Sequence, residues 1–172
     1  MKYIYNHNIN LLKNFQDINK KSDKMVNLDF SDERISFTPA ILYIDYINLQ
    51  FNNYLKKNYK DITPRDFTYL VNIFYHQNIS QRELADFLFV SEANVTQIIK
   101  RLEKNEFITR IPDKNNKSKN ILYLTSKGKN IVFKLLKEIY EGELKIFENF
   151  DNSDVEMFKK ILYKYSDESI GS

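Results

Sequence analysis

Apolar side chains recur along most of this chain at the period of a helix, and in one stretch near residue 110 they fall into two strand-like runs. From Phe37 to about Tyr59, Phe37, Ile41, Ile44, Phe51 and Leu55 share one helical face, while Leu42, Tyr43, Tyr46 and Leu49 lie on others. A helix that is apolar on more than one side needs more than one partner. Thr63-Pro64 then reads as an N-cap and first helical residue, and Phe67, Leu70, Val71, Phe74 and Tyr75 follow at helical spacing, which predicts a core helix.

Residues 80–107 read SQRELADFLFVSEANVTQIIKRLEKNEF, two short apolar-periodic runs that each open on a serine. Ser80-x-x-Glu83 is a capping-box pattern, and Leu84, Ala85 and Leu88 form the inner face of the helix it opens. Ser91 caps the next helix, with Val95, Ile98, Ile99 and Leu102 on one face and Asn94, Thr96, Gln97, Lys100 and Arg101 on the other. Asn105 stands where a helix favours a left-handed residue at its C-terminal end. FITRI and NILYL flank the polar loop PDKNNKSK, which predicts a hairpin with a basic tip. A long helix from about Ser126 to Phe150 and a last one carrying Val155, Phe158, Ile161, Leu162 and Tyr165 complete the pattern. Residues 1–34 form an N-terminal extension rich in Asn, Lys and Asp, whose order the pattern does not define, although Leu11, Leu12, Phe15 and Ile18 share a helical stripe.

Two short helices joined by a tight turn, the second turning polar side chains outward, describe a helix-turn-helix whose second helix enters the DNA major groove. With Gln81 as the first position, Ala85 falls where the helices cross, Phe89 at the turn, and Val95 and Ile98 where the second helix packs on the first. The turn position usually holds glycine. Phe89 there should cost on the order of 1 kcal/mol or force another turn geometry. The first turns of the second helix, Glu92 to Gln97, approach the base edges in this reading. The DNA-facing set is Ser91, Ala93, Asn94, Thr96, Gln97 and Lys100. Asn94 and Gln97 carry the amide pair suited to adenine, and Thr96 has a hydroxyl and a methyl for bases. In the hairpin, Arg110, Lys114, Lys117 and Lys119 are placed to reach the DNA backbone or the minor groove.

Charge strengthens that reading. The chain carries a net charge of only +3, yet nine basic and three acidic residues lie between Lys100 and Lys129, a local excess of six. A basic block in an otherwise slightly acidic chain has the footprint of a polyanion partner. Composition bears on the remaining classes. With 42% hydrophobic residues in 172, the chain can bury a core unaided. The absence of cysteine excludes disulfides and thiol chemistry, and no apolar run approaches a membrane span, so a cytoplasmic protein with no membrane partner is expected. Only three glycines and two histidines, His7 and His76, are present, with no phosphate-cradling loop and no histidine-rich metal cluster, which argues against an enzyme and against any cofactor. His76, at a helix end, reads as a dipole partner or surface residue.

From about Phe37 to Tyr165 the sequence resembles the MarR family of transcriptional regulators, on the run ELADFLFVSEANVTQIIKRLEKNEFITRIPDKNNKSKNILYLTSKGK and its LTSKG segment at 124–128. The resemblance implies a homodimer in which N- and C-terminal helices of two subunits intertwine above two winged helices. It also raises a small aromatic or apolar effector. Tyr43, Tyr46, Phe67 and Tyr75 are either its lining or plain packing residues. In the wing the family carries Asp followed by arginines. Here Asp113 is kept while Lys117, Ser118 and Lys119 follow, which gives point charges without the arginine fork.

The expected fold is mostly α, a winged helix-turn-helix with a two-stranded β wing, flanked by N- and C-terminal helices that form a helical dimerisation region. The expected divisions are an extension at 1–34, a dimerisation helix at 35–60, the DNA-binding domain at 61–125 and C-terminal dimerisation helices at 126–172. The expected function is that of a homodimeric regulator, a repressor binding double-stranded DNA at an inverted-repeat operator. The rival reading is a winged helix used as a protein-interaction module without sequence-specific DNA binding.

Overall fold

A computed structural model describes residues 35, 36, 38–114, 116 and 119–168. The stripe of Leu11, Leu12, Phe15 and Ile18, together with His7, Phe37, Lys117 and Ser118, lies outside the described residues. Among those described, six helices and one two-stranded antiparallel sheet follow in the order α1 (Ala40–Asn58), α2 (Pro64–Tyr75), α3 (Gln81–Phe87), α4 (Glu92–Lys104), β1 (Ile108–Pro112), β2 (Asn120–Leu124), α5 (Ser126–Ile146) and α6 (Asn152–Asp167). The chain divides into two compact units, one up to Lys60 and one from Asp61. No helix is long and apolar enough to cross a membrane.

In the first unit, α1 starts later than the apolar pattern predicts from Phe37. Thr38 precedes Pro39, and the residue before a proline is driven out of the α region, so the helix opens with Pro39 at its N-cap. Ile41, Leu42, Ile47 and Leu49 of α1 are all exposed.

The second unit is built around a core from α2, α3, α4, the sheet and α5. Thr63 caps α2: its hydroxyl accepts the Asp66 N–H at 3.1 Å, and Asp66 returns the favour by accepting the Thr63 N–H at 2.9 Å. The buried stripe of α2 is Asp66, Tyr69, Leu70 and Ile73, so Phe67, Val71 and Phe74 are only half-buried and Tyr75 is exposed. The predicted face was rotated because the apolar pattern gave no place to a buried aspartate.

Ser80 caps α3 through the predicted capping box, and Leu84 and Ala85 are buried beneath it. The turn that follows keeps the left-handed geometry despite lacking glycine. Phe89 has φ 52, and the Phe89 and Val90 N–H groups close back on Asp86 and Ala85 carbonyls at 3.2 and 3.1 Å. Ser91 then caps α4, whose buried face is Val95, Ile98, Ile99 and Leu102 as the pattern predicts.

Helix α4 ends by the same device, one residue later than predicted. Asn105 has φ −87 and completes the helix, while Glu106 is the left-handed residue with φ 60. The Glu106 and Phe107 N–H groups return to Glu103 and Leu102 carbonyls at 2.8 and 2.9 Å, which also seats the Phe107 ring in the core near Leu102. Strands β1 and β2 pair from Ile108↔Leu124 to Pro112↔Asn120. Ile79 and Ser80 add a short third edge, with the Leu122 N–H donating to the Ile79 carbonyl at 2.9 Å and Ser80 bridging Ile121.

Thr125 caps α5, accepting the Gly128 N–H at 3.0 Å. The helix stops at Ile146, short of the Phe150 the pattern suggests. Phe147, counted there as a helical position, instead packs its ring near those of Phe150 and Phe158, at 6.3 and 5.7 Å between centroids, and turns the chain into α6.

Candidate nucleic-acid interface

The geometry of the interface starts from how α4 is held. Its inner face is buried against α3 and the sheet, and Gln81, at the start of α3, donates from Nε2 to the Thr96 hydroxyl at 2.5 Å. That hydroxyl in turn donates to the Glu92 carbonyl at 2.8 Å. Thr96 therefore spends its hydroxyl inside the motif and offers mainly its methyl group outward. Ser91 is likewise occupied as a cap, accepting the Asn94 N–H at 3.3 Å.

Ala93, Asn94, Gln97 and Lys100 lie on the exposed side of α4. Among the described residues the Asn94 and Gln97 side-chain amides have no hydrogen-bond partner, and Lys100 has no ion pair. An exposed helix face with two unoccupied amides and a free ammonium in its first turns can pair with base edges and phosphates.

The basic block of the sequence divides in two. Four of its members are held by carboxylates: Arg101 by Asp66, Arg110 by Glu103, Lys119 by Glu83 and Lys127 by Glu106. Arg110 forks both ways onto Glu103, with Nε to Oε1 at 2.8 Å and Nη2 to Oε2 at 2.6 Å, so it roots β1 on α4. Lys127 also donates to the Asn105 carbonyl at 2.9 Å, where a cation suits the negative end of α4. Lys100, Lys104, Lys114 and Lys129 have no carboxylate within ion-pair distance among the described residues. Charge counting alone does not separate these groups, because the carboxylates that hold the first set lie between seven and thirty-six residues away in sequence.

In the wing loop Asp113 has a local role. Its Oδ1 accepts the Asn116 N–H at 3.1 Å, and its own N–H donates to the Lys119 carbonyl at 2.8 Å. Lys114 is exposed at the tip, and Lys117 lies outside the described residues. Lys119 points its ammonium at the Glu83 carboxylate, 2.8 Å away. That contact, with the Ser80 N–H and hydroxyl, holds the Glu83 carboxyl down to about 2 from its ordinary 4.5, so it stays ionised at any working pH. The sequence marked Glu83 as a cap only; nothing in a one-dimensional pattern reveals its second partner, thirty-six residues on.

Of the aromatic residues named for an effector, Tyr43 donates its hydroxyl to the Ile35 carbonyl at 3.3 Å and Tyr46 accepts from Gln50 at 2.7 Å. Phe67 is half-buried on α2, and Tyr75 is exposed beside Phe74. His76 closes α2, its ring 4.5 Å from that of Phe87.

A helix-turn-helix with a hairpin packed beside its second helix, and unoccupied polar and cationic groups on that helix, defines a winged helix-turn-helix DNA-binding protein. Comparison places it more closely. The profile of the MarR family matches residues 62–118. The HTH-type transcriptional regulator YybA of Bacillus subtilis (strain 168) is 31% identical over 105 residues, 60% of this chain and 69% of YybA. The chain belongs to the MarR family and is a DNA-binding transcriptional regulator, not an enzyme. The crystal structure of MarR shares the fold, with a TM-score of 0.67 at 24% identity, covering 83% of this chain and 94% of MarR. So does the Staphylococcus aureus MepR–DNA complex, with a TM-score of 0.58 at 19% identity, covering 81% of this chain and 98% of MepR.

Proposed function

We propose that this regulator is a cytoplasmic homodimeric repressor that reads an inverted-repeat operator through α4. The observation that carries the reading is the pair of exposed, unoccupied amides of Asn94 and Gln97 on the first turns of that helix. Ser91, Ala93, Thr96 and Lys100 line the same turns, Lys114 and Lys119 belong to the wing beside them, and Lys117, outside the described residues, is assigned to DNA contact by sequence alone. Arg110 serves by rooting the wing. MepR, whose fold the chain shares, was solved with DNA, which supports the same use here.

The dimer is supported by α6. This helix of sixteen residues buries none of them and exposes Met157, Phe158, Ile161 and Leu162, a face that costs free energy in water unless a second subunit covers it. The proposed divisions follow: dimerisation helices at 35–60 and 126–172 around a DNA-binding domain at 61–125. Release of DNA by a small aromatic or apolar effector is the regulation that family resemblance supports.

The test is selection of the preferred duplex from a random pool, followed by Asn94→Ala and Gln97→Ala. The selected site should be an inverted repeat with half-site centres roughly 10 base pairs apart. Each variant should cost about 1 to 3 kcal/mol on that duplex and little on mixed-sequence DNA. Wild-type discrimination in both variants would remove α4's outer face from sequence reading. Absence of any salt-sensitive DNA binding would instead favour a protein-interaction module.

A further inference from the structure

We propose that Glu83 is the positioning residue of the wing, fixing the angle at which the hairpin meets DNA beside α4. The proposal rests on the operator reading above. Its basis is the division of labour between the two oxygens of one carboxylate. Oε2 accepts both the Ser80 N–H at 2.8 Å and the Ser80 hydroxyl at 2.7 Å, and so serves the start of α3. Oε1 takes only the Lys119 ammonium, at 2.8 Å, and so serves the wing.

Lys119 is well placed to transmit that hold. Its main-chain N–H donates to the Asn116 carbonyl at 2.8 Å, and its carbonyl accepts the Asp113 N–H at 2.8 Å, so its backbone closes the loop between the two strands. Fixing its side chain fixes that closure. The strands are stitched to the start of α3 by the backbone edge at Ile79 and Ser80, and two ion pairs on different helices add to it: β1 to α4 through Arg110 and Glu103, and the loop end to α3 through Lys119 and Glu83. Beyond that edge the Glu83 contact sets where the loop end lies, and without it the loop end can swing while the strands stay seated. The Glu83 and Lys119 side chains are 52% and 33% exposed, and pairs so placed contribute little to stability, so the contact acts through geometry. An ammonium has three donors, and the one given to Glu83 leaves two for phosphate oxygens, in a place the carboxylate has chosen.

Glu83→Gln separates the two roles. The amide oxygen can take the place of Oε2 and keep both Ser80 bonds, while the amide nitrogen faces Lys119 and cannot accept from it. The experiment measures affinity for the duplex selected by the wild type and for a mixed-sequence duplex of equal length, at matched salt, in wild type, E83Q, K119M and E83Q/K119M. In E83Q the ratio of the two affinities should fall about five- to tenfold, with mixed-sequence binding no weaker and the thermal midpoint unchanged. K119M, which leaves the capping box intact, should lower the ratio on its own, and adding E83Q to it should change the ratio no further. A wild-type ratio in E83Q, or an equal loss from E83Q in the K119M background, overturns the role of Glu83. A wild-type protein that prefers no sequence overturns instead the operator reading on which it rests.

Discussion

Arg101 of α4 directs its Nε and a terminal N–H onto the same oxygen of Asp66, the Nε at 3.1 Å, while the other Asp66 oxygen caps α2 through Thr63. Asp66 is only 2% exposed and Arg101 about half exposed, so the pair pins the C-terminal half of α4 to the start of α2. Glu83 repeats the arrangement at the start of α3. Each capping-box carboxylate thus gives one oxygen to its own helix and the other to a cation on an element of the proposed DNA interface.

Removing Asp66 should therefore be costly in two ways at once. Asp66→Ala deletes a cap and leaves Arg101 without its partner, and the unfolding free energy should drop by about 2 to 4 kcal/mol. Arg101 reaches water, so its hydration keeps the loss below that of a fully buried pair. Urea denaturation of the variant checks the value; a loss under about 0.5 kcal/mol would mean that the pair does not hold α4.

Gly128 should tolerate no side chain. A Cβ added there would stand 2.0 Å from the Phe107 carbonyl oxygen, which already accepts the Thr125 N–H at 3.0 Å. Backbone cannot swing aside as a flexible side chain does, so Gly128→Ala should destabilise by about 3 kcal/mol, at the upper end for overpacking. Thermal unfolding is the measurement, and Gly142→Ala, where nothing lies within 4 Å of the added carbon, is the control that should not destabilise.

The helix starts show what could be read from the sequence. Thr63-Pro64, Ser80-x-x-Glu83 and Ser91 stand out as caps, because a cap is local and leaves a signature within four residues, whereas LTSKG carried only a family resemblance and the Thr125 cap and the close approach at Gly128 came from the structure. The inner face of α4 was equally legible, since all four of its buried residues follow the helical period. What stayed hidden was pairing across the fold. Asp66 and Arg101 are thirty-five residues apart, and an aspartate in an apolar stripe looks like a break in the pattern, not its centre. The proposed DNA-facing charge was blurred for the same reason: Arg110 and Lys119 look as free in sequence as Lys100 and Lys114, although the first two are held by carboxylates.

Phe89 carries a backbone cost that a smaller residue would relieve. Its φ of 52 lies in the left-handed region, and its ring is 95% exposed, so the side chain contributes almost no packing to offset the strain. Phe89→Gly should raise stability by about 0.5 to 1 kcal/mol, the relief being partly offset by the greater freedom of glycine in the unfolded chain. Phe89→Ala keeps the strain and should give no such gain. A destabilised glycine variant in chemical denaturation would show that the ring makes a contact worth more than the strain.

The unpaired lysines provide the last prediction, because they separate phosphate contacts from structural ion pairs. Lys100 on α4 and Lys114 on the wing have no carboxylate within ion-pair distance among the described residues, so replacing them with alanine breaks no ion pair among those residues. If each neutralises one phosphate, a dimer of the double variant loses four such contacts. Each released counterion contributes about 0.9 to the slope of log affinity against log salt, so the slope should become shallower by about 3 to 4 units, on selected and mixed-sequence duplexes alike. Lys160→Ala is the control: Lys160 lies on α6, paired with Glu156, and its loss should leave the slope where it was. Equal slopes for wild type and double variant would show that these two ammonium groups face away from DNA. The proposed interface would then have to be redrawn around the lysines that carboxylates already hold.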